Sequence, residues 1–156
     1  MKDFKGKKVL VTGGGSGIGE AMAYQYAMKG ADVILTGRNT ASLETVRNKC
    51  MKYGVKAYCH AVDMEKQETI DALVNWIYTE GHEIDFLLLN AGISQRSLTL
   101  ETDMSVDRRL MEVNYFGGIY LVKSLKDMFL KRGVHIAVVS SVSGVFGFPV
   151  RSAYCA

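Results

Sequence analysis

Apolar residues in this chain follow two rhythms. Short runs rich in β-branched and leucine side chains, Lys8 to Thr12, Asp32 to Thr36, Val55 to Val62, Asp85 to Leu89 and His135 to Ser140, read as five strands buried on both faces. Between them the period lengthens. Ile70, Leu73, Val74 and Ile77 recur at i, i+3, i+4 and i+7, which sets one apolar stripe of a helix against a sheet. A longer pattern from about Val106 to Lys131 predicts a helix with Leu110, Val113, Leu121, Leu125 and Phe129 buried and Gly117-Gly118 in its middle. Each of those glycines costs a helix about 1 kcal/mol relative to alanine, so close packing is expected there. Strands alternating with helices in this way predict an α/β fold, a doubly wound parallel sheet of five strands joined by right-handed crossovers, incomplete at its C-terminus.

Composition narrows the picture. At 156 residues, 48% hydrophobic and 22% charged, the chain has the apolar content for one core, and disorder is excluded. A single proline, Pro149, and the lack of a linker predict one domain over 1–156. Net charge is +3 and dispersed, so no nucleic-acid surface is expected. The longest unbroken apolar stretches, such as Phe86 to Leu89, fall far short of the roughly 20 residues a membrane span needs. Met1-Lys2-Asp3-Phe4-Lys5 has no apolar signal core, so a cytoplasmic chain is expected, with a peripheral place on a cytosol-facing membrane as the alternative. Cys50, Cys59 and Cys155 are odd in number and lack metal spacing, in keeping with a reducing compartment. His60, His82 and His135 are scattered, and no metal is predicted.

The string Val9-Leu10-Val11-Thr12-Gly13-Gly14-Gly15-Ser16-Gly17-Ile18-Gly19 carries the most chemistry. A buried strand runs into a glycine turn and then a helix with Ile18, Ala21 and Met22 expected on one face. Without Cβ atoms the turn lets backbone N–H groups approach a pyrophosphate while the helix presents its positive end. Gly13, Ser16, Gly17, Ile18 and Gly19 are therefore candidate cofactor-binding residues. Glu20 follows Gly19 where a P-loop would carry lysine and a hydroxyl residue, which excludes that class.

Gly13, Gly17 and Gly19 give the spacing T-G-x-x-x-G-x-G, which resembles the glycine motif of the short-chain dehydrogenases/reductases. The resemblance continues through Asp63, Asn90-Ala91-Gly92, Asn114, Ser141 and Tyr154, and so covers the whole chain. Ile93-Ser94-Gln95-Arg96-Ser97 and Tyr154-Cys155-Ala156 are also similar to a membrane-associated reductase branch. Leu89 stands where the family usually carries a second asparagine.

A site for NAD needs Asp or Glu at the end of the second strand, whereas this chain reads Leu35-Thr36-Gly37-Arg38. Arg38 suits the 2′-phosphate of NADP(H) through charge-assisted hydrogen bonds, so NADP is expected over NAD; as a solvated loop charge it would leave NAD open. The resemblance implies that Asp63 meets the adenine, although Asp63 equally suits a helix N-cap for a segment starting near Glu65. Asn90, Ala91 and Gly92 are candidate cofactor contacts, or Asn90 ties two strand ends together. Asn114 interrupts an apolar helical face and needs a backbone or water partner.

Ser141 and Tyr154, thirteen residues apart, resemble the family's catalytic pair. The resemblance implies a carbonyl substrate hydrogen-bonded by Ser141 and protonated by Tyr154 as hydride arrives, with Asn114 holding a water in the proton relay. Free tyrosine titrates near pH ~10 and needs nearby positive charge to act as a base. The family's lysine lies four residues after the tyrosine, and this sequence ends at Ala156, two residues before that position. Two explanations follow, a fragment of a longer enzyme, which is favoured, or a short form that binds dinucleotide without turnover. Subunits of the family often pair through the long helices, which implies a homo-oligomer. Ser140 and Ser143 read as loop hydroxyls, and Tyr115, Phe116, Tyr120 and Phe129 as core or interface aromatics. Ser141 lacks the G-x-S-x-G elbow of a serine hydrolase, and Ser16 occupies the middle-glycine position of the epimerase spacing T-G-x-x-G-x-x-G.

Overall fold

The computed structural model describes residues 3–155; Met1-Lys2 of the N-terminal string and Ala156 of the C-terminal one lie outside the described residues. Five parallel strands form one sheet in the order β3-β2-β1-β4-β5, from β1 (Lys8–Thr12), β2 (Asp32–Gly37), β3 (Ala57–Ala61), β4 (Phe86–Leu89) and β5 (His135–Val138). In-register pairing sets Val9 opposite Val33 and Phe86, and Leu10 opposite Ile34 and Leu87. Successive side chains therefore alternate between two cores. Val9, Val11, Val33, Leu35 and Leu88 meet Ala23 and Ala27 of α1 (Gly17–Met28) and Leu43 and Val46 of α2 (Thr40–Met51). On the other face Leu10, Ile34 and Leu87 meet Ile70, Leu73 and Ile77 of α3 (Gln67–Thr79) and Leu121 of α5 (Gly117–Ser124). Full burial of each such side chain contributes about 1.5–3 kcal/mol, which is why the central strands read as apolar runs.

Element ends differ from the sequence expectation where hydrogen bonds decide. β3 starts at Ala57 rather than Val55, because Lys56 is taken by the Asp32 carboxylate, which accepts its N–H at 2.8 Å. β2 runs on to Gly37, which pairs with Ala61. β4 starts at Phe86, with Asp85 before it accepting the Lys8 N–H at 2.9 Å, and β5 ends at Val138 rather than Ser140. On α1 the buried residues are Gly19, Ala23 and Ala27; of Ile18, Ala21 and Met22, Met22 packs half-buried against the core, whereas Ala21 is exposed and Ile18 is 60% exposed. Gly19 is confined to glycine there, since a Cβ on it would stand 2.2 Å from the Gly13 carbonyl oxygen.

The long helix expected over Val106 to Lys131 is divided. α4 (Met104–Met111) is N-capped by Asp103, whose carboxylate accepts the Ser105 N–H at 2.8 Å. A π turn, Glu112–Phe116, leads into α5, and Leu125 breaks α5 from α6 (Lys126–Arg132). A Cβ on Gly117 would lie 2.3 Å from the Met64 carbonyl oxygen, so the expected close packing falls on Gly117, whereas Gly118 has ordinary clearance. Phe129 is only half-buried, and Tyr115 and Phe116 are exposed rather than core. Three-ten turns at Thr99–Glu101 and Val142–Gly144 and a short α7 (Ser152–Cys155) complete the chain.

Near the amino ends of β1 and β3, His82 lies between the rings of Tyr58 and Trp76 at 4.5 and 4.4 Å, with Lys8 Nζ 3.0 Å from its Nδ1. Burial, and after it the Lys8 charge, hold the imidazole below its ordinary pKa. This cluster belongs to the end of the sheet away from the glycine turn.

Candidate active site

β1 lies between β2 and β4, so the chain's progress across the sheet reverses there and a crevice opens at the carboxyl ends. The glycine turn bends over that crevice. Gly13 leaves β1 at φ 66, and a Cβ on it would come within 3.0 Å of Ala91 Cα and Asn90 Nδ2. Gly19 is tighter, since its Cβ would stand 2.2 Å from the Gly13 carbonyl oxygen. Gly17 has φ 56, and a Cβ on Gly15 would meet Ser42 Oγ at 2.8 Å.

Thr12 and Asn90 lock the strand ends on which the turn rests. Thr12 Oγ1 accepts the Asn90 N–H at 2.9 Å and the Ala91 N–H at 3.0 Å, while Asn90 Nδ2 donates to the Thr12 carbonyl at 3.0 Å and the Gly13 carbonyl at 3.2 Å. The side chain of Asn90 thus ties β1 to β4. Ser16 precedes α1 in extended backbone, and its side chain accepts none of the first-turn N–H groups, which leaves them free of a side-chain cap.

A groove of about 900 Å³ follows, and it is lined by Gly13, Ser16, Ile18, Arg38, Asp63, Asn90, Ala91 and Gly92 of the sequence candidates. Arg38 leaves the end of β2, and Arg38 and Asp63 are its only charged side chains among the described residues. Asp63 does not cap a helix starting near Glu65: α3 starts at Gln67, and the Asp63 carboxylate accepts the Glu65 N–H at 3.2 Å in the preceding turn. Gly17 and Gly19 shape the turn behind the lining.

Sequence reasoning missed part of the wall. Asn39 lines the groove and caps α2 by accepting the Ser42 N–H at 3.1 Å, and the string Asn39-Thr40-Ala41-Ser42 carried that cap signal. Val62, Met64, Ile93 and Val113 form an apolar wall. Nothing in the sequence separates them from core residues.

Asn114 is exposed in the π turn instead of interrupting a buried face. Its Oδ1 accepts the Ile93 N–H at 2.8 Å and its Nδ2 donates to the Ile93 carbonyl at 2.9 Å, so one amide pins the loop leaving β4. It stands directly behind Gly92, whose Cβ would lie 3.4 Å from Oδ1. Ser141 Oγ accepts the Ser143 N–H at 3.1 Å and opens the turn Val142–Gly144, against which α7 with Tyr154 packs. Ser141 and Tyr154 are half-buried and do not line the groove. Tyr24 offers a contrast, because burial and the Glu20 carboxylate that its hydroxyl meets at 2.6 Å push its pKa up, which disqualifies it as a base.

Comparison with known proteins agrees with this architecture. The sequence model of the short chain dehydrogenase family matches residues 7–156. The chain is 39% identical to a Drosophila melanogaster dehydrogenase/reductase SDR family protein 7-like over 97% of this chain and 48% of that protein. It is 35% identical to the human dehydrogenase/reductase SDR family member 7 over 95% of this chain and 45% of that protein. The chain therefore spans about half the length of the curated relatives it matches. Among solved structures, NAD+-bound xylitol dehydrogenase superposes with a TM-score of 0.92 at 28% identity, covering 99% of this chain and 60% of that one. An alcohol dehydrogenase from Thermococcus sibiricus complexed with 5-hydroxy-NADP gives 0.91 at 25% identity, covering 96% and 64%. With the glycine turn, the strand order and a match along residues 7–156 in agreement, this chain belongs to the short-chain dehydrogenase family of oxidoreductases.

Proposed function

We propose that the chain serves an NADP(H)-dependent oxidoreductase that interconverts a small-molecule carbonyl and a secondary alcohol. The observation that carries this reading is Arg38 at the end of β2, on the groove wall, in the string Gly37-Arg38-Asn39-Thr40 with its lack of Asp or Glu. A 2′-phosphate there gains charge-assisted hydrogen bonds, where the ribose hydroxyl of NAD would call for an acidic partner. The groove fits a dinucleotide. Glycines stand where Cβ atoms would collide, uncapped N–H groups open α1, and the volume suits an extended ligand.

A nicotinamide cofactor supplies or takes the hydride. The chain's own residues manage the oxygen and its proton. Ser141 donates a hydrogen bond to the substrate oxygen, and Tyr154 Oη gives that oxygen a proton in reduction and recovers it in oxidation. Asn114 keeps the π turn and the Ile93 loop in register on the same side. A cytoplasmic location, and paired subunits in the full-length protein, complete the reading. It is supported by three free cysteines and by the exposed Tyr115, Phe116 and Ile119.

The second reading is a dinucleotide-binding module without turnover, favoured by the position of Ser141 and Tyr154 outside the groove lining. One experiment separates the two. Steady-state oxidation of NADPH against a panel of ketones should fall by about 10²–10⁴-fold in Tyr154→Phe while a fluorescence titration finds cofactor binding unchanged. Retained turnover in that variant removes Tyr154 from the chemistry, and no turnover in the unsubstituted protein favours the module. In the same titration Arg38→Asp should weaken NADPH relative to NADH by about 10–100-fold, and an unaltered preference defeats the NADP assignment.

A further inference from the structure

We propose that Arg151 is a positioning residue for Tyr154, clamping the short helix that carries the phenol to the loop leaving β4; the proposal rests on the hydride-transfer reading above. A backbone bridge and two side-chain contacts meet at it. The Ser97 N–H donates to the Val150 carbonyl at 3.0 Å, and Ser97 and Arg151 pair as a parallel bridge. The Arg151 guanidinium donates to Ser94 Oγ, and its Cζ lies 5.8 Å from the centre of the Tyr154 ring. One cation thus holds the loop by a hydrogen bond and the tyrosine by its ring.

The loop end of the clamp is firm. Gln95, 7% exposed, brings Nε2 to 3.1 Å from the Ser97 carbonyl, 2.8 Å from Ser97 Oγ and 3.0 Å from Thr102 Oγ1, and the two hydroxyls are 2.6 Å apart. At the other end Arg151 directly precedes α7, so its side chain reaches both the loop and the Tyr154 ring three residues on. Val150, a β-branched residue at φ 58, adopts a backbone that such residues avoid, as happens when surrounding contacts over-determine a segment. Arginine suits the task because a planar guanidinium can stack on a ring while its edge donates hydrogen bonds; a lysine ammonium offers a point charge. Displacing a reacting group by about 1 Å can cost 10²-fold in rate, so a loosened Tyr154 should be felt in kcat.

The test uses the protein with 3-fluorotyrosine at position 154 and reads ¹⁹F NMR beside steady-state kinetics. Arg151→Ala should shift and broaden the resonance and lower kcat by about tenfold or more, with cofactor affinity and melting temperature unchanged. Arg151→Lys should recover part of both, and Ser94→Ala should reproduce a smaller version. An identical spectrum in Arg151→Ala with kcat preserved overturns the clamp, as does a loss expressed only in KM or in melting temperature. If the unsubstituted protein shows no turnover, the hydride-transfer reading falls and takes the catalytic purpose of the clamp with it, whereas the spectra still report separately whether Arg151 places the ring.

Discussion

The glycine turn and the limb from β5 to α7 stand at the same end of one sheet, yet they are held in opposite ways. Around the turn, Thr12 is 1% exposed, its hydroxyl and the Asn90 amide share bonds with the backbone of both strands, and Gly19 touches a backbone oxygen that leaves no space for a methyl group. Along the limb, α7 is tied to the loop leaving β4 by the Arg151 guanidinium on Ser94 Oγ and by the Ser97 N–H on the Val150 carbonyl. Geometry at the turn is set by backbone contacts. The helix that carries the candidate acid meets the loop leaving β4 through polar contacts.

That contrast can be broken at three points. Gly19→Ala should have the largest effect, because the methyl group meets a carbonyl oxygen at 2.2 Å that cannot move without shifting β1; a loss of about 3 kcal/mol or more is expected in urea denaturation, together with loss of cofactor binding. A stable, cofactor-binding Gly19→Ala protein would mean that the turn is far more compliant than its contacts imply. Asn90→Ala should cost about 1–3 kcal/mol, since it leaves the Thr12 and Gly13 carbonyls without a side-chain donor, and amide exchange near Thr12 should quicken with it. The smallest effect is expected on the limb. Val150→Gly relieves a left-handed backbone and should change stability by no more than about 1 kcal/mol, in the stabilising direction, as read by thermal melting. Destabilisation equal to that of Asn90→Ala would show the limb to be as tightly specified as the turn.

Much of the scaffold was legible because periodicity encodes burial. The stripe Ile70, Leu73, Val74, Ile77 is the buried face of α3, and the five apolar runs are the five strands. The glycine turn was legible for a related reason, that close backbone approach restricts residue type at fixed spacing. Elsewhere local pattern failed where a long-range partner intervened. Asn114 could be flagged as an odd amide, but its exposure and its grip on Ile93 depend on a π turn that no local preference announces. Asp63 looked like a helix cap by composition, and the start of α3 at Gln67 moved it into a turn. The wall formed by Val62, Met64, Ile93 and Val113 was hidden because an apolar side chain reads the same whether it fills a core or borders a groove.

By itself the sequence determined the parallel α/β class, the placement of the glycine turn and the order of the motifs, since each of these follows from hydrophobic period and from residues with no steric substitute. Tertiary structure alone decided which strand lies beside which, that Asn90 serves β1 as well as β4, and that Arg151 reaches both Ser94 and Tyr154. Those outcomes join residues up to 78 positions apart, and contacts at such separations are selected by the packing of whole layers and not by any preference of the local chain.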